Sequence, residues 1–389
     1  MTNQDLFHYR PFSVCDSHFH LSAPQTVDDS VKIFSAIMEY FNYDRAALMC
    51  YLQDVKENFY ADNVKSLFIK DVMNKADPDR KVYACGAFLH YMDKRDTAES
   101  YLNQIKRMYA LGFDGIKCLE GKPAVRKMIG RRLDDPVFDQ AFAFAEEKGM
   151  PVTYHVGDPP SFWNIHQITE AEIKRGWFCD ETFPTLAQLR EEAEGILRKF
   201  PKLPVVLAHF YFLAHDPEAC VKLMETYPNV MLDLTPGGVM FAEFSKRPED
   251  WRLFFRKYAH RIFYGTDTYN TYLCEKPEDY GKTYTQHRIN LVRRALEYSE
   301  PFDDPDYGTI TPLHLEDDLL TKIYRENFIR LYGDPRDVSD NESADYAAEL
   351  LSLYESGLLT NGDDRRDAPD KENLRRIYSY FLSSDMVTN

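Results

Sequence analysis

The sequence contains no apolar run of the length that a transmembrane helix needs. Charged residues interrupt the hydrophobic positions every few residues, whereas a bilayer span requires about 20 consecutive apolar residues. The first residues, Met1 to Arg10, are polar and lack the basic-then-apolar pattern of a signal peptide. We therefore expect neither a membrane partner nor a secretory signal.

Closely spaced cysteine pairs are also missing. The seven cysteines include no C-x-x-C motif and are spread along the chain, at Cys15, Cys50, Cys85, Cys118, Cys179, Cys220 and Cys274. Several lie in apolar, strand-like runs, where a free thiol behaves as a small buried hydrophobic group. An odd number of cysteines in such positions is typical of a reducing compartment, which predicts a cytoplasmic protein.

Positive charge is scarce relative to negative charge. There are 47 Lys and Arg residues against 63 Asp and Glu residues, which gives a formal net charge of −16. Nucleic acids and anionic membrane surfaces bind basic proteins, so this balance argues against both as partners. The balance leaves the substrate open, because the pocket sets the local field, and we expect a small molecule.

What the sequence does contain is eight short strand candidates, most of them followed by a helical pattern. They are Phe12–His18, Arg45–Cys50, Lys81–Leu89, Phe113–Leu119, Pro151–His155, Leu203–His209, Asn229–Leu234 and Arg261–Tyr264. This alternation implies parallel strands joined by right-handed crossovers, and eight such units in about 270 residues match a closed (β/α)8 TIM barrel. An open doubly wound sheet is the alternative, but no glycine-rich phosphate loop follows any strand. We therefore predict an α/β fold built on a (β/α)8 barrel.

The chain beyond the eighth strand is largely helical. Residues 1–333 are predicted to form the barrel, and residues 334–389 a helical extension with helices near Ala344–Tyr354 and Lys371–Leu382. No Gly/Ser linker separates the two, so we expect the extension to pack on the barrel. A homo-oligomer formed through these helices is an alternative to a monomer.

Two histidines end the first strand candidate. In the run Val14-Cys-Asp-Ser-His-Phe-His20, His18 and His20 are separated by one residue. Alternate side chains of a strand point to the same face, so the two imidazoles can converge on one point. Two neutral imidazoles presented from one side are what a divalent metal ion needs.

Further potential ligands stand where other strand candidates end. Together with the histidine pair, the set is His18, His20, Lys117, His155, His209 and Asp267. The C-terminal ends of all strands of a (β/α)8 barrel meet at one face, so these side chains are expected to lie together. Four histidines and one aspartate at strand ends predict a metal site.

The order of these residues resembles the amidohydrolase superfamily. H-x-H follows the first strand, His the fifth, His the sixth and Asp the eighth. Four stretches resemble the amidohydrolase-2 branch of this superfamily, which is related to aminocarboxymuconate-semialdehyde decarboxylase. They are Pro151–His155, Val206–His209, Tyr264–Asp267 and Arg325–Gly333. The resemblance covers about Val14 to Gly333, and its motifs are specific to the superfamily but poor at identifying a reaction.

The resemblance implies a ligand set and a role for each member. His18, His20, His155 and Asp267 would hold one divalent ion, for which we favour Zn²⁺ with Mn²⁺ as an alternative. Asp267 would accept a proton from a metal-activated water and pass it to the leaving group. His209 would be a neutral imidazole that orients the water or polarises the substrate, or else a ligand of a second metal.

Lys117 leaves three alternatives open. Some superfamily members have a carboxylated lysine at this strand end, which bridges two metals and makes the site binuclear. A lysine at the mouth of a barrel can equally bind an anionic group of the substrate as a point charge. The third alternative is an ordinary surface lysine beyond the end of the strand.

Aromatic residues follow two of the candidate ligands. The long loop after His155 contains residues that could form a substrate pocket or simply stabilise the loop, among them Trp163, His166 and Trp177. Tyr269 and Tyr272 follow Asp267 and are similar candidates. By resemblance to the adenosine-deaminase branch, Asp158 is a candidate proton donor. Two prolines follow it, so a role in forming a turn is an equally good alternative.

The sequence therefore predicts a metal-dependent hydrolase that acts on a C–N or C–O bond (amide, lactone or ester) of a small molecule. The alternative is non-oxidative decarboxylation of an unsaturated or aromatic carboxylate, which would require a cation beside the metal. A third possibility is a barrel that has lost catalysis and only binds other molecules.

Overall fold

Eight parallel strands surround the interior of the protein in a computed structural model of the chain. The structure describes residues 9–21, 25–55, 58–236, 239–269, 284–362 and 364–388. The strands are β1 (Val14–His20), β2 (Tyr43–Met49), β3 (Lys81–Gly86), β4 (Gly115–Gly121), β5 (Val152–Val156), β6 (Val205–Leu207), β7 (Val230–Asp233) and β8 (Ile262–Phe263), and a short β9 (Thr268–Tyr269) follows.

The sheet closes on itself between β1 and the end of β9. Neighbouring strands follow the order β8-β7-β6-β5-β4-β3-β2-β1-β9, and every pair is parallel. His20 lies opposite Tyr269, and the amide of Asp267 donates a hydrogen bond to the carbonyl oxygen of His18 at 2.9 Å. Strands β8 and β9 thus act as two parts of one closing strand, and the predicted (β/α)8 barrel is confirmed.

An irregularity in β1 sets the direction of the two histidines. Cys15 belongs to the cluster inside the barrel, whereas Phe19 packs outside it against Phe34, with ring centroids 4.8 Å apart. Residues four apart share a face in a regular strand, and the pairing of β1 with β2 shifts register between Asp16 and Phe19. With Phe19 packed outside the barrel, its two neighbouring histidines point to the opposite face.

Helices connect the strands and continue after them. The barrel helices are α1 (Val27–Tyr40), α2 (Asp62–Ala76), α3 (Ala98–Leu111), α4 (Pro123–Ile129), α5 (Asp139–Lys148), α6 (Glu170–Lys174), α7 (Leu186–Lys199), α8 (Pro217–Thr226), α9 (Met240–Lys246), α10 (Pro248–Tyr258), α11 (Tyr284–Glu297), α12 (Asp317–Thr321) and α13 (Asn327–Tyr332). A hairpin of β10 (Phe302–Asp304) and β11 (Gly308–Ile310) follows α11. This hairpin and the short helices α4, α6 and α9 were not predicted from the sequence.

The predicted end of the sixth strand is wrong. The sequence analysis continued it to His209, but β6 ends at Leu207, and the backbone of His209 has φ 55° and ψ 36°. These angles are left-handed and cannot belong to a strand, whose φ is near −120°. His209 therefore stands on a turn just beyond β6.

The segment after α13 lies directly on the barrel. The amide of Arg336 donates a hydrogen bond to Oδ1 of Asp114 at 2.8 Å. Gly112, which ends α3 with φ +94°, lies so close to this segment that a Cβ atom there would be 2.1 Å from the carbonyl oxygen of Asp337. Both the positive φ and the close approach require glycine at this position.

Two further helices form the extension, α14 (Asp340–Glu355) and α15 (Asp364–Thr388). A buried ion pair connects α15 to the barrel helix α2, with Nζ of Lys65 2.5 Å from an oxygen of Asp370. Nearby, the hydroxyl of Tyr380 donates a hydrogen bond to Asp71 at 2.8 Å. The division into two domains at residue 333 stays a prediction.

Two other expectations concern membranes and cysteines. Among the described residues, no helix is both long and apolar enough to cross a lipid bilayer. The six cysteines in this part of the chain are buried and unbridged. Cys274 lies outside the described residues, and the cytoplasmic location stays a prediction.

Candidate metal centre

The imidazoles of His18 and His20 face each other at the end of β1, with their Nε2 atoms 3.2 Å apart. Each Nδ1 atom has a partner that fixes the ring. Nδ1 of His18 is 2.9 Å from Oδ2 of Asp233, and Nδ1 of His20 is 2.6 Å from the carbonyl oxygen of Met49. Because both partners are acceptors, the protons belong on Nδ1 and the Nε2 lone pairs face a common point.

Asp267, which directly precedes β9, completes this group of donor atoms. Its Oδ1 atom lies 3.1 Å from Nε2 of His20 and 3.8 Å from Nε2 of His18. All three donor atoms lie within 4.8 Å of one another. Asp267 itself has φ 52°, and this left-handed backbone is fixed by its amide hydrogen bond to β1.

Arg288 on α11 holds the second oxygen of Asp267. Its Nη2 atom donates to Oδ2 of Asp267 at 3.2 Å, and its Nε atom donates to the carbonyl oxygen of Thr266 at 3.1 Å. Burial raises the pKa of Asp267, but the close contact with His20 and the charge of Arg288 outweigh it and hold that pKa well below its usual value. The Asp267 carboxylate therefore stays ionised.

Lys117 reaches into the same site from β4. Its Nζ atom lies 2.9 Å from Nε2 of His18, and the residue is only 1% exposed. The surface alternative for Lys117 is therefore wrong. Burial lowers the pKa of Lys117, while the charges of Asp267 and Asp233 act in the opposite direction. Whether the lysine bridges two metals or binds an anion stays open.

His155 and His209 form a second pair beside the first. Nδ1 of His155 is 3.1 Å from Nε2 of His209, and the ring of His209 lies 5.8 Å from that of His18. Burial, together with neighbouring cationic or histidine groups, lowers the pKa of each to about 3, so both are neutral. Nε2 of His155 is buried and has no hydrogen-bond partner within the described part of the chain.

The structure therefore brings His18, His20, Asp267 and Lys117 into direct contact and places His155 and His209 next to them. His155 is not part of the group of donor atoms that lie within 4.8 Å of one another, so its role as the fourth ligand stays a prediction. Asp158 lies near the second pair, with Oδ1 3.5 Å from Nε2 of His155, and burial raises the pKa of its carboxyl group to about 6.

Sequence reasoning missed two carboxylates that support the site. Asp233 ends β7 and accepts hydrogen bonds from Nδ1 of His18 and from the amide of His209, the latter at 2.8 Å. Asp16 lies behind the histidines and accepts from the amide of His18 at 3.0 Å and from the hydroxyl of Thr266 at 2.6 Å. Burial raises the pKa of Asp16 to about 7. The strand-end pattern could have found Asp233.

The predicted pocket residues divide into two groups. Tyr269 lies at the site, because its ring stacks on that of His20 with centroids 5.4 Å apart. Trp163 and Trp177 belong to the loop after β5, where Nε1 of Trp163 donates to the carbonyl oxygen of Pro184 at 3.0 Å and Trp177 stacks on Phe162. The loop also carries His166, which is exposed, and Tyr272 lies outside the described residues. A role of these residues in substrate binding stays a prediction.

A cavity of about 300 Å³ opens beside His209. Apolar groups form most of its wall, including Phe212 and Met240, and Glu243 contributes a carboxylate. The cavity is large enough for a small organic molecule, so a substrate held there would reach the histidine pair.

The donor set fits a divalent metal ion. Two Nε2 lone pairs and a carboxylate oxygen face one another, which is unfavourable unless a cation lies between them. Imidazole nitrogen suits zinc and other transition metals, and the carboxylate compensates part of the charge. The buried Nε2 of His155, which has no partner among the described residues, would be a further donor.

A parallel (β/α)8 barrel with histidine and aspartate donors at its strand ends defines a class of metal-dependent enzymes. Comparison with protein families identifies the branch: residues 15–333 match the amidohydrolase family model Amidohydro_2, and the chain belongs to this family. Other members include metal-dependent hydrolases and decarboxylases. No functionally curated protein matches the sequence.

Several solved structures resemble this chain at low sequence identity. An uncharacterised TIM-barrel protein from Bordetella bronchiseptica is 15% identical, with a TM-score of 0.51 over 82% of this chain and 98% of the other. A 2,6-dihydroxybenzoate decarboxylase from Rhizobium is 15% identical (TM-score 0.47; 82% and 98% covered). A manganese-bound dihydroxybenzoic acid decarboxylase from Polaromonas is 13% identical (TM-score 0.48; 82% and 96% covered). The first of these supports the barrel fold.

Proposed function

We propose that this chain is a metal-dependent hydrolase that cleaves a C–N or C–O bond of a small molecule, with one bound divalent ion, Zn²⁺ by preference. The observation that carries the proposal is the convergence of three donor atoms, Nε2 of His18, Nε2 of His20 and Oδ1 of Asp267, within 4.8 Å of one another. A divalent ion bound there would supply Lewis acidity and lower the pKa of a coordinated water to about 7.

The chain's own residues prepare the site for this ion. Asp233 and the carbonyl oxygen of Met49 keep protons on the Nδ1 atoms of His18 and His20, so that both Nε2 atoms present lone pairs toward the site. His155 would add a fourth donor through its buried Nε2 atom. These contacts hold the rings in place before the ion binds, which reduces the cost of binding.

Asp267 and His209 would carry the chemical roles. Arg288 keeps the Asp267 carboxylate ionised, and this is the form that can accept a proton from water and deliver it to the leaving group. His209 lies between the donor group and the cavity, so its neutral imidazole can orient the water or hydrogen-bond to the substrate.

Decarboxylation is a second candidate function, and Lys117 favours it. A decarboxylase must hold the carboxylate that it removes, and a buried ammonium group 2.9 Å from a metal-binding nitrogen would do so. The hydrolysis of an anionic lactone or amide would use the same lysine. The position of Lys117 therefore supports an anionic substrate in both cases.

Elemental analysis of the purified protein tests the metal site. We expect about one zinc or manganese ion per chain in the wild type and much less in H18A and D267N, with H166A as an exposed histidine control. A value near two would support a binuclear site with a carboxylated Lys117. A chain that binds no divalent metal, even after incubation with zinc or manganese, would overturn the proposal.

Reactions in H₂¹⁸O separate the two functions. The metal-loaded protein is incubated with panels of amides, lactones, esters and carboxylates. Hydrolysis places ¹⁸O in the product, whereas decarboxylation releases CO₂ and leaves no label in the organic product. Metal binding without turnover of any panel member would favour a barrel that only binds its ligand.

A further inference from the structure

The turn that follows β6 has an unusual backbone. Four consecutive residues have left-handed φ values: 55° at His209, 54° at Phe210, 55° at Tyr211 and 50° at Phe212. Left-handed backbone is disfavoured for residues with a Cβ atom and normally occurs at single positions, most often at glycine. A run of one histidine and three aromatic residues in this conformation must be held in place by its surroundings.

Contacts on both sides of the turn hold it. The amide of His209 donates to Oδ1 of Asp233 at 2.8 Å and to Oγ1 of Thr235 at 3.1 Å. From α7, Nη2 of Arg190 donates to the carbonyl oxygens of Tyr211 and Phe212, at 3.4 and 3.2 Å. These hydrogen bonds fix both ends of the turn.

The middle of the turn is fixed by an aromatic cluster. The ring of Phe210 is fully buried and stacks nearly parallel to that of Phe255, with a centroid distance of 5.9 Å. It also contacts Phe244 and Trp251 edge-on, at 5.0 and 5.6 Å. Strain that the surroundings maintain so thoroughly is typical of a functional site.

The consequence of this turn is that the rings of His209 and Phe212 lie side by side. Their centroids are 5.2 Å apart, and the ring of Phe212 is also 5.8 Å from that of His155. His209 and Phe212 both line the cavity of about 300 Å³, together with apolar groups that include Pro160 and Met240. Phe212 is thus the aromatic side chain of the cavity wall that contacts both His209 and His155.

The charges at the two ends of this space differ in sign. At the metal centre, the cationic side chain of Lys117 is buried beside His18, whereas the charge of Arg288 is paired with the carboxylate of Asp267, and a bound divalent ion would add positive charge. At the cavity, Glu243 provides a carboxylate, which forms an ion pair with the largely exposed Lys246 at 2.7 Å. One negative group of a ligand is attracted to the first end, and a second negative group near Glu243 is repelled.

We propose that Phe212 determines specificity: it binds the apolar group of a small organic monoanion whose charged end lies at the metal centre, and Arg190 is a positioning residue that keeps Phe212 there. The proposal rests on the function proposed above and adds to it the class of substrate. Phe212 touches the ligand, whereas Arg190 acts only through the turn.

Calorimetry on the metal-loaded protein tests this assignment with acetate, phenylacetate and 4-carboxyphenylacetate as probes. We expect phenylacetate to bind at least tenfold more tightly than acetate, and the dianion to bind more weakly than phenylacetate. In F212A the preference for phenylacetate over acetate should disappear, and F212Y should keep the preference. Equal binding of acetate and phenylacetate by the wild type, or an unchanged preference in F212A, overturns the proposal. A dianion that binds as tightly as phenylacetate overturns the role of Glu243.

A second pair of variants tests the positioning role of Arg190. R190Q should reduce the preference for phenylacetate several-fold, and R190K should restore part of it because lysine can still donate to one carbonyl oxygen. The matched control is R198Q on the same helix, whose arginine pairs with Glu194. If R190Q lowers the melting temperature but leaves the preference unchanged, Arg190 has only a structural role.

Metal content measured on the same samples separates this inference from the proposed function. Protein that binds the metal but does not prefer phenylacetate contradicts the role of Phe212 alone. Protein that binds no metal contradicts the proposed function first.

Discussion

The ammonium nitrogen of Lys117 lies 2.9 Å from Nε2 of His18, and both side chains are buried. The amine therefore donates to the same lone pair that His18 would offer to a metal ion. Burial lowers the pKa of Lys117 because the interior disfavours the charged ammonium, while the charges of Asp267 and Asp233 oppose this shift. A metal ion bound by His18 would compete with Lys117 for this lone pair, so we predict that the lysine turns away from His18 when the metal is bound.

The variant K117M tests this role of the lysine. We expect its metal content to stay near one ion per chain, because His18, His20 and Asp267 are unchanged, while its affinity for acetate falls about tenfold through loss of the charge. Elemental analysis and calorimetry measure the two effects. K127M, which removes a lysine from α4, is the control. A fall from two metals to one, with activity restored by added short carboxylic acids, would instead support a carboxylated lysine bridge.

Asp233 should tune the metal affinity without touching the ion. D233N keeps the shape of the side chain but can donate to Nδ1 of His18, which moves the imidazole proton to Nε2 and blocks that donor. Loss of such a partner typically lowers metal affinity about 10- to 100-fold. Competition with a zinc indicator measures the change. The control is D216N, which alters a helix cap at the start of α8. An unchanged zinc affinity in D233N would contradict this role of Asp233.

The fold and most of the candidate site could be predicted from the sequence, because both follow from strand ends. His20 ends β1, His155 is the second-last residue of β5 and Asp267 lies between β8 and β9, and barrel closure brings such positions to one face. Lys117 was expected at the end of the fourth strand but lies inside β4, from where it still reaches His18. Asp233 also stands at the end of a strand, β7. It was not predicted because the metal-ligand pattern of the resembling family does not include it. Arg288 could not be found in this way, since it lies on a helix and reaches Asp267 through space.

The turn after β6 could not be predicted for a different reason. The apolar run from Val205 into Phe212 contains no glycine or asparagine, the residues that usually indicate left-handed backbone. Tertiary contacts impose the conformation here, through Arg190, Asp233 and the cluster around Phe210. Short helices such as α6 were missed because a few residues provide too little periodicity to detect.

Asp62, at the start of α2, should make stability depend on pH. Burial raises the pKa of this carboxyl group from 3.8 to about 7, although Lys65, 3.9 Å away, partly opposes the shift. A carboxyl group whose pKa is raised on folding stabilises the folded state fully below about pH 3.9, and this contribution is lost as the pH rises through 7. D62N carries no such charge, so it should gain stability relative to the wild type between pH 4 and 7.

Urea denaturation at pH 5, 6, 7 and 8 measures this gain. The difference in the free energy of unfolding between D62N and the wild type should rise with pH by no more than about 1.4 kcal/mol per pH unit. It should level off above pH 7. The control is D79N, an exposed aspartate after α2, which should differ from the wild type by the same amount at every pH. A difference for D62N that shrinks as the pH rises would contradict the assigned pKa direction.

The left-handed backbone at Phe212 predicts an inverted order of stability for small residues. At φ 50°, an alanine carries the steric cost of its Cβ atom and a glycine does not, so F212G should be more stable than F212A by about 1 kcal/mol. Both variants lose the same ring, so the packing loss cancels in the comparison. The matched pair is F244G and F244A in α9, where glycine should be less stable than alanine by about 1 kcal/mol. Urea denaturation of the four variants measures both differences. If glycine were less stable than alanine at position 212 as well as at position 244, the turn would not be left-handed in solution. The placement of Phe212 beside His209 would then be wrong.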